Sequence, residues 1–130
     1  MSIHQISYEV RLSRLINSNI GTKEKVDGTA AIFDEVLQES LSYTLPKHTI
    51  RHIDQFSSRN AASIMRLLDE IEYEMSHLTI LEKIKFARDL LKQPYVKSMK
   101  NSAKAVEKKI NKNIKYFRVF NRFMKIISPF

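Results

Sequence analysis

The chain has 130 residues, enough to bury one core and too few for two comfortable domains, and with 43% hydrophobic and 28% charged residues it falls in the globular range rather than the disordered one. Two glycines and three prolines leave few places for the tight turns an all-β fold requires, and the absence of cysteine excludes disulfides, thiol nucleophiles and thiolate metal sites. The formal net charge of +8 directs attention to anionic partners.

The expected fold class is all-α: an antiparallel bundle of four major helices plus one or two short ones, in a single helical domain over residues 1–130. Ile3, Ile6, Val10 and the Leu15/Ile16 pair fall on one side of a first helix that fades near Asn17 to Gly21. The stretch from Gly21 to Gly28 holds both glycines and several charges, and reads as the longest loop. Ile32, Phe33, Val36, Leu37 and Leu41 then mark a second helix, capped by Thr29 or Asp27 and ended before Pro46. From Lys47 to Phe56 the spacing of Ile50 and Ile53 suggests a short helix or turn, and Ser57 or Ser58 is placed to cap the next helix. Ala61, Ile64, Leu68, Ile71, Met75 and Leu78 step by three and four in turn, a regular helical seam. Thr79 and Glu82 have capping-box spacing just before Ile80, Leu81, Ile84, Ala87 and Leu91, so a new helix is expected there. Pro94 stops it and suits the first turn of the final segment.

That final segment is the most informative. Residues 95–130 carry ten basic side chains and one acid, Glu107, a net of +9, whereas residues 1–94 carry twelve basic and thirteen acidic ones, a net of −1. Apolar residues recur by threes and fours through Val96, Met99, Ala103, Val106 and Ile110, then Phe117, Phe120, Met124 and Ile127. The expectation is one long amphipathic helix from Tyr95 to Ile127, about 50 Å in length at roughly 1.5 Å per residue. A compact chain of this size is only about 36 Å across, so part of that helix should overhang. Beyond Asn113 apolar groups take most of the circumference, leaving Lys115, Arg118, Arg122 and Lys125 as a narrow polar stripe. Something must bury such a surface.

Four explanations compete for this segment. Its aromatic groups can simply complete the bundle core. Its cations can neutralise phosphates of a nucleic acid, with Lys97, Lys104, Lys108, Lys115, Arg118, Arg122 and Lys125 as the contacts. It can lie on an anionic membrane surface. Or Phe117, Phe120, Phe123 and Ile127 can dock a partner helix or a second copy, making a homo-oligomer. Asn113 interrupts the apolar steps, where a lone buried asparagine would fix register or oligomeric state and a solvent-facing one would do nothing. Asp69, Glu70, Glu72 and Glu74 form the dense acidic cluster; they read as a solvated face with helix pairs such as Arg66 and Glu70, or else as intramolecular neutralisers of the lysines.

Other chemistry finds no support. His48 and His52 share a helix face, yet Arg51 sits beside them and the glutamate of a zinc-protease motif is missing, so no metal and no cofactor are expected. His4 and His77 have no partners at recognisable spacing. No serine elbow, acyl-enzyme serine, phosphate loop or dinucleotide fingerprint is present, and no carboxylate pair is set apart for acid and base work. The junctions near Leu78 and Pro94 match a helix-turn-helix only weakly. The expected protein is a non-enzymatic binding or regulatory one, with nucleic acid backbone as the leading partner. Met1 to Ser18 lacks the apolar run of a signal peptide, and eighteen uncharged apolar residues never occur together, so a cytoplasmic location without a membrane span is expected.

Overall fold

A chain so poor in turn formers satisfies its backbone locally, and every regular element among the described residues is an α-helix: α1 (Tyr8–Asn17), α2 (Thr22–Ser42), α3 (Pro46–Met75), α4 (Ile80–Leu91), α5 (Pro94–Lys109) and α6 (Ile114–Ile127). The structure, a computed structural model, describes the backbone of residues 8–42, 46–109 and 114–128, and side chains over 8–37, 61–101 and 118–128. Ile3, Ile6 and Asn113 lie outside the described residues.

Two sequence signals place helix ends as expected. Thr79 is the N-cap of α4: its hydroxyl accepts from the Glu82 amide at 3.2 Å, and its own amide donates to the Glu82 carboxylate at 2.9 Å. These bonds hold the Glu82 carboxyl below its ordinary value, the Thr79 backbone contributing most and its side chain next. Pro94 opens α5, and Pro46 likewise opens α3.

Elsewhere the fold departs from expectation. The anticipated loop from Gly21 to Gly28 is helix, because α2 begins at Thr22, with the Gly21 carbonyl accepting from the Lys25 amide at 3.1 Å. Val26, Ala30, Phe33 and Leu37 continue the apolar steps straight through Gly28, and all four are buried. Gly28 is there for proximity: a Cβ at this position would meet Leu15 Cδ2 at 2.8 Å, so the missing side chain lets α1 and α2 approach. Neither candidate cap of α2 acts as one. Thr29 is buried within the helix and donates to the Lys25 carbonyl at 2.8 Å, while Asp27 accepts from the Tyr95 hydroxyl of α5 at 2.7 Å. The break expected at Ser57 or Ser58 does not occur, and α3 runs unbroken for 30 residues.

One cluster of buried side chains draws on all six helices. Leu12 comes from α1; Ile64, Leu68, Ile71 and Met75 give α3 the seam anticipated from their spacing, and Leu67, outside that seam, is buried beside them. On α1 the expected stripe is rotated, since Val10 is exposed and Tyr8 packs inward with Leu15 and Ile16. On α4, Ala87 and Leu90 are buried, whereas Ile80 and Leu81 are not. Phe33 of α2 sits at the centre against α6, with ring centroids 5.6 Å from Phe120 and 5.5 Å from Phe123. Cutting Phe33 to alanine should cost about 3–5 kcal/mol.

Helix directions are also not uniformly antiparallel. Arg11 pairs with Glu35 and Leu15 meets Gly28, so α1 and α2 oppose each other; Thr22 meets Glu74 and Lys25 meets Glu70, so α2 and α3 do too. Arg122, however, reaches Met65, Asp69 and Glu72, while Ile126 and Ser128 share a cleft with Met75 and Ser76. Helix α6 therefore runs parallel to α3. In place of one rod from Tyr95 to Ile127 there are two helices seated on different partners, α5 on α2 and α6 on α3. The physical reason is the overhang that a continuous rod would leave beside a small core: seated on separate helices, each half buries its apolar stripe.

Candidate functional site

The cationic side chains come from three helices whose opposite faces are anchored in the core. On α5, buried Val96 and Met99 alternate with exposed Lys97 and Lys100. On α6, Val119, Phe120, Phe123 and Ile127 are buried, which turns Arg118 and Lys125 outward seven positions apart, nearly two turns along one face. On α4, exposed Lys85 and Arg88, followed by exposed Lys92 at the C-cap, recur at steps of three and four behind Leu81. The α4 stripe is absent from the expectations above. Its interleaved acids, Glu82 and Asp89, hide it from a net charge count, but the spacing of its cations is readable.

The acids of α3 are engaged within the molecule. Lys25, only 3% exposed, pairs with Glu70 and stands 3.8 Å from Glu74, which also accepts from the Thr22 hydroxyl. Arg122 pairs with Asp69, stands 3.8 Å from Glu72 and donates to the Met65 sulfur at 3.6 Å. The acidic cluster is thus both things expected of it: Asp69 and Glu72 stay exposed to solvent, yet all four acids meet a cation from another helix, with Lys25 rather than Arg66 as the partner of Glu70.

These pairings sort the expected site residues. Lys97, Arg118 and Lys125 are exposed, and none of them, nor Lys100, enters an ion pair among the described residues. Arg122 is a correction: a guanidinium held by two carboxylates is largely committed to α3. Lys104 and Lys108 lie on α5 and Lys115 on α6, with side chains outside the described residues. The docking face is the larger correction. Phe120, Phe123 and Ile127 are 6%, 0% and 1% exposed, because this face of α6 packs into the core that α2 and α3 contribute to. They present no surface to a partner helix or a second copy, and Phe117 lies outside the described side chains.

A cleft of about 440 Å³ opens where α3, α4 and α6 meet, lined by Lys83, Arg122, Lys125, Glu72, Ser76 and Ser128 among others. Arg122 and Glu72 face each other in it, which leaves Lys83 and Lys125 as the cations of its lining outside any ion pair among the described residues. His48 and His52 fall on α3 with side chains outside the described residues; among the described residues no group of three His, Asp or Glu side chains could hold a metal ion. No described helix is long and apolar enough to cross a membrane.

Comparisons with protein-family models, curated proteins and solved structures give no match.

Proposed function

We propose that this chain is a non-enzymatic binding protein whose α5 and α6 cations hold the phosphate backbone of a nucleic acid. The pairing pattern carries this reading. The α3 carboxylates are taken by Lys25 and Arg122, which leaves Lys97, Lys100, Arg118 and Lys125 at the surface without an ion pair among the described residues. An uncompensated exposed cation attracts polyanions from solution, whereas a paired one adds little to the outward field. Lys104, Lys108 and Lys115 add charge to the same two helices. Because the junctions near Leu78 and Pro94 match a helix-turn-helix only weakly, recognition is of the backbone rather than of sequence.

Four phosphate contacts correspond to a slope of about −3.6 in log affinity against log salt, so raising salt from about 50 to 200 mM should weaken binding by roughly a hundredfold. Fluorescence anisotropy with labelled duplex and single-stranded DNA measures this directly. The paired charge reversals Arg118→Glu and Lys125→Glu should reduce the slope by about two. Absence of binding at low salt, or binding indifferent to salt, refutes the proposal.

A further inference from the structure

Two aliphatic side chains stand in water with no structural reason to do so. Ile80 and Leu81 open α4 and are 72% and 79% exposed. The cap of this helix is made by Thr79 and Glu82, and the residue that packs back onto the core is Leu78. A polar pair would serve the fold equally well. On the last turn of α3 just before them, Tyr73 is 67% exposed and held edge-on to His77, with ring centroids 4.8 Å apart. The corner between α3 and α4 is a tight tip, closed by successive bonds from the Ser76, His77 and Leu78 amides to carbonyls three or four residues back. It projects Tyr73, Ile80 and Leu81 outward, beside the cleft that Met75, Ser76 and Lys83 line.

Charge indicates what covers this tip. Leu81 shares its helix face with Lys85, Arg88 and Lys92, at steps of four, three and four, all exposed and outside any ion pair among the described residues. Lys83 and Lys125 line the neighbouring cleft. A second copy docked corner to corner would bring identical cation stripes together, which is repulsive. A flat anionic surface with an apolar interior satisfies both parts. We infer that the α3–α4 corner docks on an anionic lipid bilayer, with Ile80 and Leu81 entering the boundary between headgroups and acyl chains and Lys85, Arg88 and Lys92 lying along the lipid phosphates. This goes beyond nucleic acid binding, and the residues it assigns to the bilayer, on α4 and its C-cap, are different ones.

The test is co-sedimentation of the full chain with vesicles of phosphatidylcholine alone and of phosphatidylcholine mixed with phosphatidylserine. Binding is expected to the mixed vesicles only. Replacing both aliphatics, Ile80→Ser with Leu81→Ser, should lower partitioning on the order of a hundredfold; the fold should survive because both side chains are exposed, which far-UV circular dichroism verifies. Replacing Lys85, Arg88 and Lys92 by alanine should lower it by a similar factor, about fivefold per cation. The double serine variant should bind DNA as the parent does, so failure of the nucleic acid proposal leaves this one standing, and the reverse. The inference is overturned if the double serine variant binds mixed vesicles undiminished, or if the parent binds both vesicle types equally. It is also overturned if that variant loses DNA and vesicles together, or converts a dimer to a monomer by light scattering.

Discussion

Replacing Lys25 by methionine should cost less stability than replacing the two carboxylates it meets, although the lysine is the buried member of the group. The Lys25 side chain is 4% exposed, while those of Glu70 and Glu74 are 34% and 29% exposed. Methionine keeps most of the stem volume and removes a desolvated ammonium. The carboxylates left behind still reach water, and Glu74 keeps the Thr22 hydroxyl, so the net change should be within about 1 kcal/mol of zero. The pair Glu70→Gln and Glu74→Gln does the opposite: it leaves a positive charge enclosed with only neutral acceptors, at a cost of about 3–5 kcal/mol. Urea unfolding followed by far-UV circular dichroism separates the two, since at a slope of about 2 kcal/mol per molar the midpoint should move by no more than about 0.5 M in the first case and fall by about 2 M in the second. A larger loss for Lys25→Met than for the double glutamine variant refutes the reasoning, because the attraction itself would then outweigh the solvation of the ammonium.

Gly28→Ala should be close to neutral in thermal unfolding, with about 1 kcal/mol of helix propensity gained and a similar amount lost in displacing the flexible end of Leu15. Gly28→Val should destabilise by about 1–3 kcal/mol, as its branches have nowhere to go. Thr79→Ala should cost about 1 kcal/mol through loss of the N-cap. Because the Glu82 carboxyl is held below its ordinary value by Thr79, its contribution is present above the usual carboxylate range, about 4.3, and lost as pH falls through the lowered value; the stability difference between the parent chain and Glu82→Gln should vanish in acid. Burial first, and the Asp27 carboxylate second, push the Tyr95 phenol above its ordinary value. Its contribution is therefore complete below about pH 10 and declines as pH rises from there toward the raised value. Tyr95→Phe should lose about 1 kcal/mol at neutral pH, and the gap should close in alkali when both variants are unfolded by urea.

The features legible in the sequence are those that depend on neighbours along the chain. The Thr79 and Glu82 box, the proline at the start of α5 and the α3 seam from Ile64 to Met75 all rest on spacing of a few residues. Gly28 misleads because its reason, contact with Leu15 thirteen positions earlier, leaves no local trace, while glycine itself suggests a loop. Lys25 reads as a solvated loop charge for the same reason: its partner Glu70 is 45 positions away. Helix α6 is recognisably apolar on most sides, yet sequence alone does not say whether the cover comes from this chain or another; Phe33 answers that. Among the expected contacts, Lys97, Arg118 and Lys125 are outward as long charged side chains ordinarily are, and Arg122 is diverted by the acids of α3, whose proximity follows only from packing.

The seating of α6 over Phe33 has a consequence for how the protein is made. Phe120 is translated 87 positions after Phe33, roughly 4 to 17 seconds later at typical elongation rates of about 5–20 residues per second. During that interval α1, α2 and α3 can form but lack their aromatic closure, so the nascent chain carries an uncovered greasy seam beside the ribosome. Folding to the final state should wait for α6 to emerge, and chaperones that shield apolar surface have a defined window in which to act on this chain.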